Sequence, residues 1–168
     1  MDRHNPPSAK LRTYRRSRAP RLPGFDYSSD VPIHLTLCAA QGVSFGATAL
    51  AEIICENVEY YCTKLGFELY GYCLMPDHLH VLLSPAGSGR SMMEWLQAFK
   101  SFTGHEYARL GHSPPLWQRS AHDHVCRKSE AAEDVLRYLA ENPVRAGLVE
   151  CWTDWPWTNV LVGIQCFD

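Results

Sequence analysis

No run in this chain approaches the roughly 18–20 consecutive apolar residues that carry a helix across a bilayer, so a helical membrane span is excluded. No apolar stretch follows the basic N-terminus, so no secretory signal is expected and a cytoplasmic location is the default. Seven cysteines are present (Cys38, Cys55, Cys62, Cys73, Cys126, Cys151 and Cys166), yet none forms a Cys-x-x-Cys pair. Their number is odd and several fall in apolar runs, which points to buried, reduced thiols rather than zinc ligands or a disulfide framework. Charge is also scarce: 20% of residues are charged and the net charge is −2, which argues against an indiscriminate nucleic-acid binder. What remains is 168 residues with 46% apolar content, enough for one globular domain with a core of its own.

The few charges are unevenly placed. Residues 1–22 hold Arg3, Lys10, Arg12, Arg15, Arg16, Arg18 and Arg21 against Asp2, which leaves the rest of the chain net acidic. Such a leader is too polar and proline-rich to build a core and is expected to order only on meeting phosphates. A solvated leader that binds nothing has the same composition. The expected organisation is a basic leader over residues 1–30, a folded domain over 31–160 and a tail over 161–168.

Within the folded region, hydrophobic periodicity sets the elements. Residues 31–40 alternate, with Ile33, Leu35 and Leu37 on one face and His34, Thr36 and Cys38 on the other. Residues 47–65 repeat at helical spacing, and Gly66 is a C-cap candidate. Strands over 67–75 and 79–84 flank the Pro76-Asp77 turn. Ser91 is placed to cap a helix reaching about Leu110, with Met92, Trp95, Leu96, Phe99 and Phe102 inward. Residues 116–127 read as strand or irregular structure. A third helix is expected from Ser129 to about Glu141, where Pro143 strains or ends it. The predicted class is α+β: a ferredoxin-like split βαβ unit with an antiparallel sheet, its helices on one face, plus an additional C-terminal helix.

Two patterns carry chemistry. In a strand, positions i and i+2 share a face, so His78 and His80 project together while Leu79, Val81 and Leu83 enter the core. Two neutral imidazoles placed so can bind one divalent metal, though surface or hydrogen-bonded histidines have the same spacing. On the third helix, a spacing of four puts Tyr138 and Asn142 on one face. There the pair reads as nucleophile and metal ligand, or as a core tyrosine and a helix-capping asparagine.

Three segments in order change that balance: GYCLMPDHLHVLLSP (71–85), LWQRSAHDHVCR (116–127) and RYLAENPVRAGLV (137–149). With Trp-Pro-Trp at 155–157, they resemble the REP-associated tyrosine transposases, relatives of the IS200-like transposases within the His-hydrophobic-His, single-tyrosine nucleases. The resemblance implies His78, His80 and Asn142 as ligands of Mg²⁺ or Mn²⁺ and Tyr138 as the nucleophile. It implies His124 as a candidate base, paired in the motif with Asp123, and Arg145 as a phosphate contact or a structural arginine. It further implies cutting and rejoining of single-stranded or hairpin DNA through a 5′-phosphotyrosine link, by a monomer or homodimer. Arg15, Arg16 and Arg18 of the leader would then grip DNA phosphates. One departure stands out: relatives often carry an Arg shortly after the first strand's His-aliphatic-Thr, where this chain has Leu37, Cys38 and Ala39. Two rival readings are a non-catalytic hairpin binder of the same fold and a two-histidine phosphoesterase. The latter needs two His-x-Thr/Ser motifs, and His78-Leu79-His80 does not supply the second.

Overall fold

The computed structural model describes residues 23–46, 48–126 and 129–161. Arg15, Arg16 and Arg18 lie outside them. The elements run β1 (Ile33–Cys38), α1 (Thr48–Leu65), β2 (Glu68–Met75), β3 (His78–Ser84), α2 (Met92–Arg109), β4 (His122–Val125), α3 (Ser129–Arg145) and β5 (Thr158–Val160). The sheet order is β4-β1-β3-β2-β5, with every neighbouring pair antiparallel. Its first four strands have the expected ferredoxin-like arrangement. Among the described residues no helix is long and apolar enough to cross a membrane.

Alternation along the strands divides the side chains between two faces. Ile33, Leu35 and Leu37 of β1, Leu79, Val81 and Leu83 of β3, and Tyr72 and Leu74 of β2 join the main core with Leu50, Ile54 and Val58 of α1 and Trp95 and Phe99 of α2. Burying such aliphatic and aromatic side chains contributes roughly 1.5–3 kcal/mol each, which makes this the dominant stabilising layer. Cys73, Met75 and Leu82 face the other way and pack on Leu136 and Leu139 of α3. The added helix therefore covers the face opposite α1 and α2, so both faces of the sheet carry helices. α1 and α2 share one face, as expected of the ferredoxin-like unit, and the additional helix takes the other. This explains why β2 and β3 are buried on both faces along most of their length.

Local signals account for the helix ends. Ser91 caps α2 with a capping box to Glu94. Gly66, at φ +73°, ends α1, with the Gly66 and Phe67 amides donating to the carbonyls of Thr63 and Cys62. α3 does not stop at Glu141 but continues through Pro143 to Arg145. Pro143 has no N–H for the Leu139 carbonyl. The Asn142 side-chain amide donates to the Tyr138 backbone carbonyl at 2.9 Å and lies 3.5 Å from that of Leu139, so it covers part of that deficit. The actual terminator is Gly147, at φ +68°, where the Gly147 and Leu148 amides close on the carbonyls of Val144 and Pro143.

Other expectations shift in detail. Phe102 is 38% exposed rather than inward, and its ring meets Tyr61 at 6.0 Å. The described residues of the 116–127 segment are part irregular and part strand, as expected: Trp117 bridges Ala39, and His122–Val125 forms a strand. β5 was not foreseen. The Trp155 indole donates to the Leu74 carbonyl at 2.9 Å, and the Leu74 amide donates to the Trp157 carbonyl at 2.9 Å, which lays β5 along β2. Gly71 permits the approach, since a Cβ there would sit 2.9 Å from the Asn159 carbonyl oxygen.

Five cysteines (Cys38, Cys55, Cys62, Cys73 and Cys126) are free and buried. Burial pushes the Cys55 and Cys62 thiols up to about 12. Cys151, in the irregular stretch after α3 and outside both cores, is disulfide-bonded, which corrects the all-reduced expectation for that residue. Cys166 lies outside the described residues.

Candidate active site

The register of β1, β3 and β4 gathers histidines on the face that α3 covers. Thr36 pairs directly with His80 and with His122, and His34 pairs with Leu82 and with His124. Directly opposed residues of antiparallel strands share a face, so His34, Thr36, His80, His122 and His124 all stand on the α3 side. His78 joins them from the start of β3.

His78 and His80 meet as the spacing implied. Their Nε2 atoms are 3.0 Å apart, with the rings edge to face. Asp77 Oδ1 lies 2.6 Å from His78 Nδ1. A carboxylate only accepts, so the ring donates there and, when neutral, keeps a lone pair at Nε2. The same hydrogen bond holds the Asp77 carboxyl below its ordinary range. His80 is 4% exposed, and its Nδ1 contacts His34 Nε2 at 3.0 Å and Thr36 Oγ1 at 3.1 Å. Burial lowers His34 to about 4, helped by the charges of His124 and His78. Burial lowers His80 to about 2, helped by His78 and His34. Both rings are therefore neutral at pH 7 and available as donors of a nitrogen lone pair.

Two imidazole nitrogens 3.0 Å apart suit neighbouring ligands of one octahedral ion with bonds of about 2.1 Å. Among the described residues no group of three or more His, Cys, Asp or Glu is placed to hold a metal ion. A divalent metal held by this pair would need water, substrate oxygens or an amide as its other ligands.

Tyr138 is brought to this pair. Its ring centroid lies 5.9 Å from that of His80, and the residue is 42% exposed. Leu136 and Leu139 on the buried side of α3 anchor the helix to the sheet and turn Tyr138 towards the sheet's histidine end. The Arg145 guanidinium sits 5.2 Å over the Tyr138 ring and pairs with Glu141 at 2.7 Å. Asn142 follows one turn after Tyr138, with its amide nitrogen committed to the helix carbonyls.

The remaining motif residues separate. His124 is exposed on the histidine face, but β1 lies between it and β3. Asp123 points to the opposite face, where it opposes Leu35 and accepts a hydrogen bond from the Tyr27 hydroxyl. The Asp-His pair of the motif is thus split between the two faces of the sheet. His34, Thr36 and Asp77 were missed as members of the site. The alternation of residues 31–40 did place His34 and Thr36 off the core face; only the β1–β3 register puts them against His80.

The chain matches the family described as Transposase IS200 like over residues 27–142. A candidate REP-associated tyrosine transposase of Haemophilus influenzae is 27% identical over 112 residues, covering 58% of this chain and 61% of that protein. The REP-associated tyrosine transposase of Escherichia coli K12 is 27% identical over 94 residues, covering 55% of this chain and 54% of that one. The chain thus spans about half to three-fifths of the curated relatives it matches. In three dimensions it resembles a REP-associated tyrosine transposase bound to a REP hairpin, with a TM-score of 0.68 at 20% identity, covering 79% of this chain and 78% of that one. A candidate transposase from Deinococcus radiodurans R1 superposes with a TM-score of 0.51 at 19% identity, covering 68% of this chain and 92% of that one. The family match spans more than half of the chain, and the chain belongs to the IS200-like transposase family.

Proposed function

We propose that this site cuts and rejoins single-stranded DNA by transesterification, with Tyr138 as nucleophile. The observation that carries the reading is the placement of the Tyr138 ring against His80, whose Nε2 converges with that of His78. His78 and His80 would hold a divalent ion such as Mg²⁺ or Mn²⁺, and Asn142 would add its Oδ1, since its helix bonds use only the amide nitrogen. When bound, the ion supplies charge neutralisation at the scissile phosphate.

The chain's own groups do the rest. The Tyr138 oxygen attacks phosphorus, a P–O bond to tyrosine forms, and the bond to the 3′ oxygen breaks. The leaving strand ends as a 3′-hydroxyl after taking up a proton, and the enzyme carries a 5′-phosphotyrosine. Attack by another 3′-hydroxyl reverses the exchange and reseals DNA without ATP, because the phosphodiester energy is kept in the link. Phenol has an ordinary pKa near 10, so its proton must be drawn off at neutral pH. Arg145, whose guanidinium lies 5.2 Å over the Tyr138 ring, would meet the phosphate. His124 is offered as proton acceptor on the strength of its face and exposure alone.

A hairpin substrate is proposed because the relative of like fold is bound to a REP hairpin. Arg15, Arg16 and Arg18 would add phosphate contacts whose strength falls with salt. The action is placed in the cytoplasm, at the nucleoid. Incubating the full chain with labelled single-stranded hairpins and Mn²⁺ should give a denaturation-resistant adduct that EDTA prevents. Hairpin binding without any adduct would instead favour the non-catalytic binder.

A further inference from the structure

The innermost nitrogen of the histidine pair is held from behind by β1. His80 Nδ1 is 3.0 Å from His34 Nε2 and 3.1 Å from Thr36 Oγ1, while His80 Nε2 is 3.0 Å from His78 Nε2. A neutral imidazole has one N–H and one lone pair, and a threonine hydroxyl can donate or accept. The chain of contacts from His34 to Asp77 can then be filled in two ways.

In the first, His34 Nε2–H donates to His80 Nδ1, His80 Nε2–H donates to His78 Nε2, and His78 Nδ1–H donates to Asp77. Every contact is a hydrogen bond, and His80 has no lone pair left for a metal. In the second, His80 Nδ1–H donates to His34 Nε2 and Thr36 Oγ1. The lone pairs of His80 and His78 then face each other at 3.0 Å and repel unless a cation lies between them. The ring that chooses between these fillings is His34, because Thr36 can serve either.

We propose that His34 is a positioning residue that decides which nitrogen of His80 carries the proton: accepting from Nδ1 it commits Nε2 to a divalent cation, and donating to Nδ1 it closes the site into a hydrogen-bonded chain. This rests on the reading that His78 and His80 hold the metal. Going from the closed to the open filling moves the proton of His80 from Nε2 to Nδ1 and that of His34 from Nε2 to Nδ1. Each ring keeps one proton throughout. His34 thus gates access to the pair without touching the metal. Such supporting contacts commonly change metal affinity 10–100-fold.

The test uses the full chain and Mn²⁺, with free Mn²⁺ counted by EPR, together with ¹⁵N imidazole NMR of the wild type with and without saturating Mg²⁺. His34→Leu removes the acceptor and should weaken Mn²⁺ binding by about 10–100-fold. His34→Gln keeps an acceptor near the position of Nε2 and should recover most of that loss. The wild-type spectrum should show His80 protonated at Nε2 without metal and at Nδ1 with it, a readout that needs no variant to fold. Unchanged Mn²⁺ affinity in His34→Leu, or His80 still protonated at Nε2 at saturation, overturns the proposal. If His80→Ala binds Mn²⁺ as tightly as the wild type, the metal reading itself falls and takes this inference with it. That outcome is told apart because it does not depend on residue 34.

Discussion

Asp77 and His78 are adjacent in sequence yet meet through their side chains, Oδ1 to Nδ1 at 2.6 Å. The carboxylate fixes the proton on Nδ1 and aims Nε2 at His80, while the Asp77 backbone carbonyl accepts from Ala39 at 2.8 Å and pins the turn. Supporting carboxylates of this kind raise ligand basicity. Asp77→Asn should therefore lower Mn²⁺ affinity about tenfold or more, measured by EPR or calorimetry. Wild-type affinity in that variant would reduce Asp77 to a turn residue.

Leu139 has no exposed surface and fixes α3 to β2 and β3, while its neighbour Tyr138 stays 42% exposed. Leu139→Ala removes that anchor and should cost about 2–5 kcal/mol in urea unfolding. At temperatures where the variant is still folded, adduct formation should slow more than hairpin binding weakens, because the nucleophile's helix has lost its seat. Equal effects on both would place the role of α3 in binding instead.

Much of this architecture can be read along the chain, and the failures have definite causes. Alternation in residues 31–40 and helical spacing in 47–65 report one-sided burial, which is why β1, α1 and the core residues Leu79, Val81 and Leu83 emerge correctly. Pro143 misleads because its cost to the helix is offset in part by the Asn142 amide and the stop is delayed to Gly147. β5 is three residues long and is held by Trp155 and Gly71, so period-2 reading has nothing to detect. In the site, His78 and His80 are legible because one strand fixes their spacing. Tyr138 is legible only through the ordered motifs. The partners of His34, Thr36 and Asp123 depend on strand register, a non-local property, whereas alternation alone separates Asp123 from His124.

Lys100 reaches from α2 to the stretch leading into β4, with Nζ 2.9 Å from the Gln118 carbonyl and 3.4 Å from that of Ser120. Burial lowers its pKa from an ordinary 10.5 to about 8. Between those values the folded chain binds fewer protons at this residue than the unfolded chain, so its contribution to stability rises with pH. Lys100→Met lacks that dependence. Chemical denaturation from pH 7 to 10.5 should show the wild type gaining stability relative to Lys100→Met. A constant difference across that range would mean that the ammonium is not desolvated.

The central claim is that Tyr138, set 5.9 Å from His80 between ring centroids, is the group that takes the DNA strand. Peptide mapping by mass spectrometry of the adduct formed with a single-stranded hairpin and Mn²⁺ tests it most directly. The expected result is a 5′-phosphonucleotide on Tyr138, with no adduct from Tyr138→Phe and hairpin affinity within about tenfold of wild type, since one lost hydroxyl contact amounts to about 0.5–1.5 kcal/mol. A nucleotide attached to any other residue, or an undiminished adduct in Tyr138→Phe, would contradict the account.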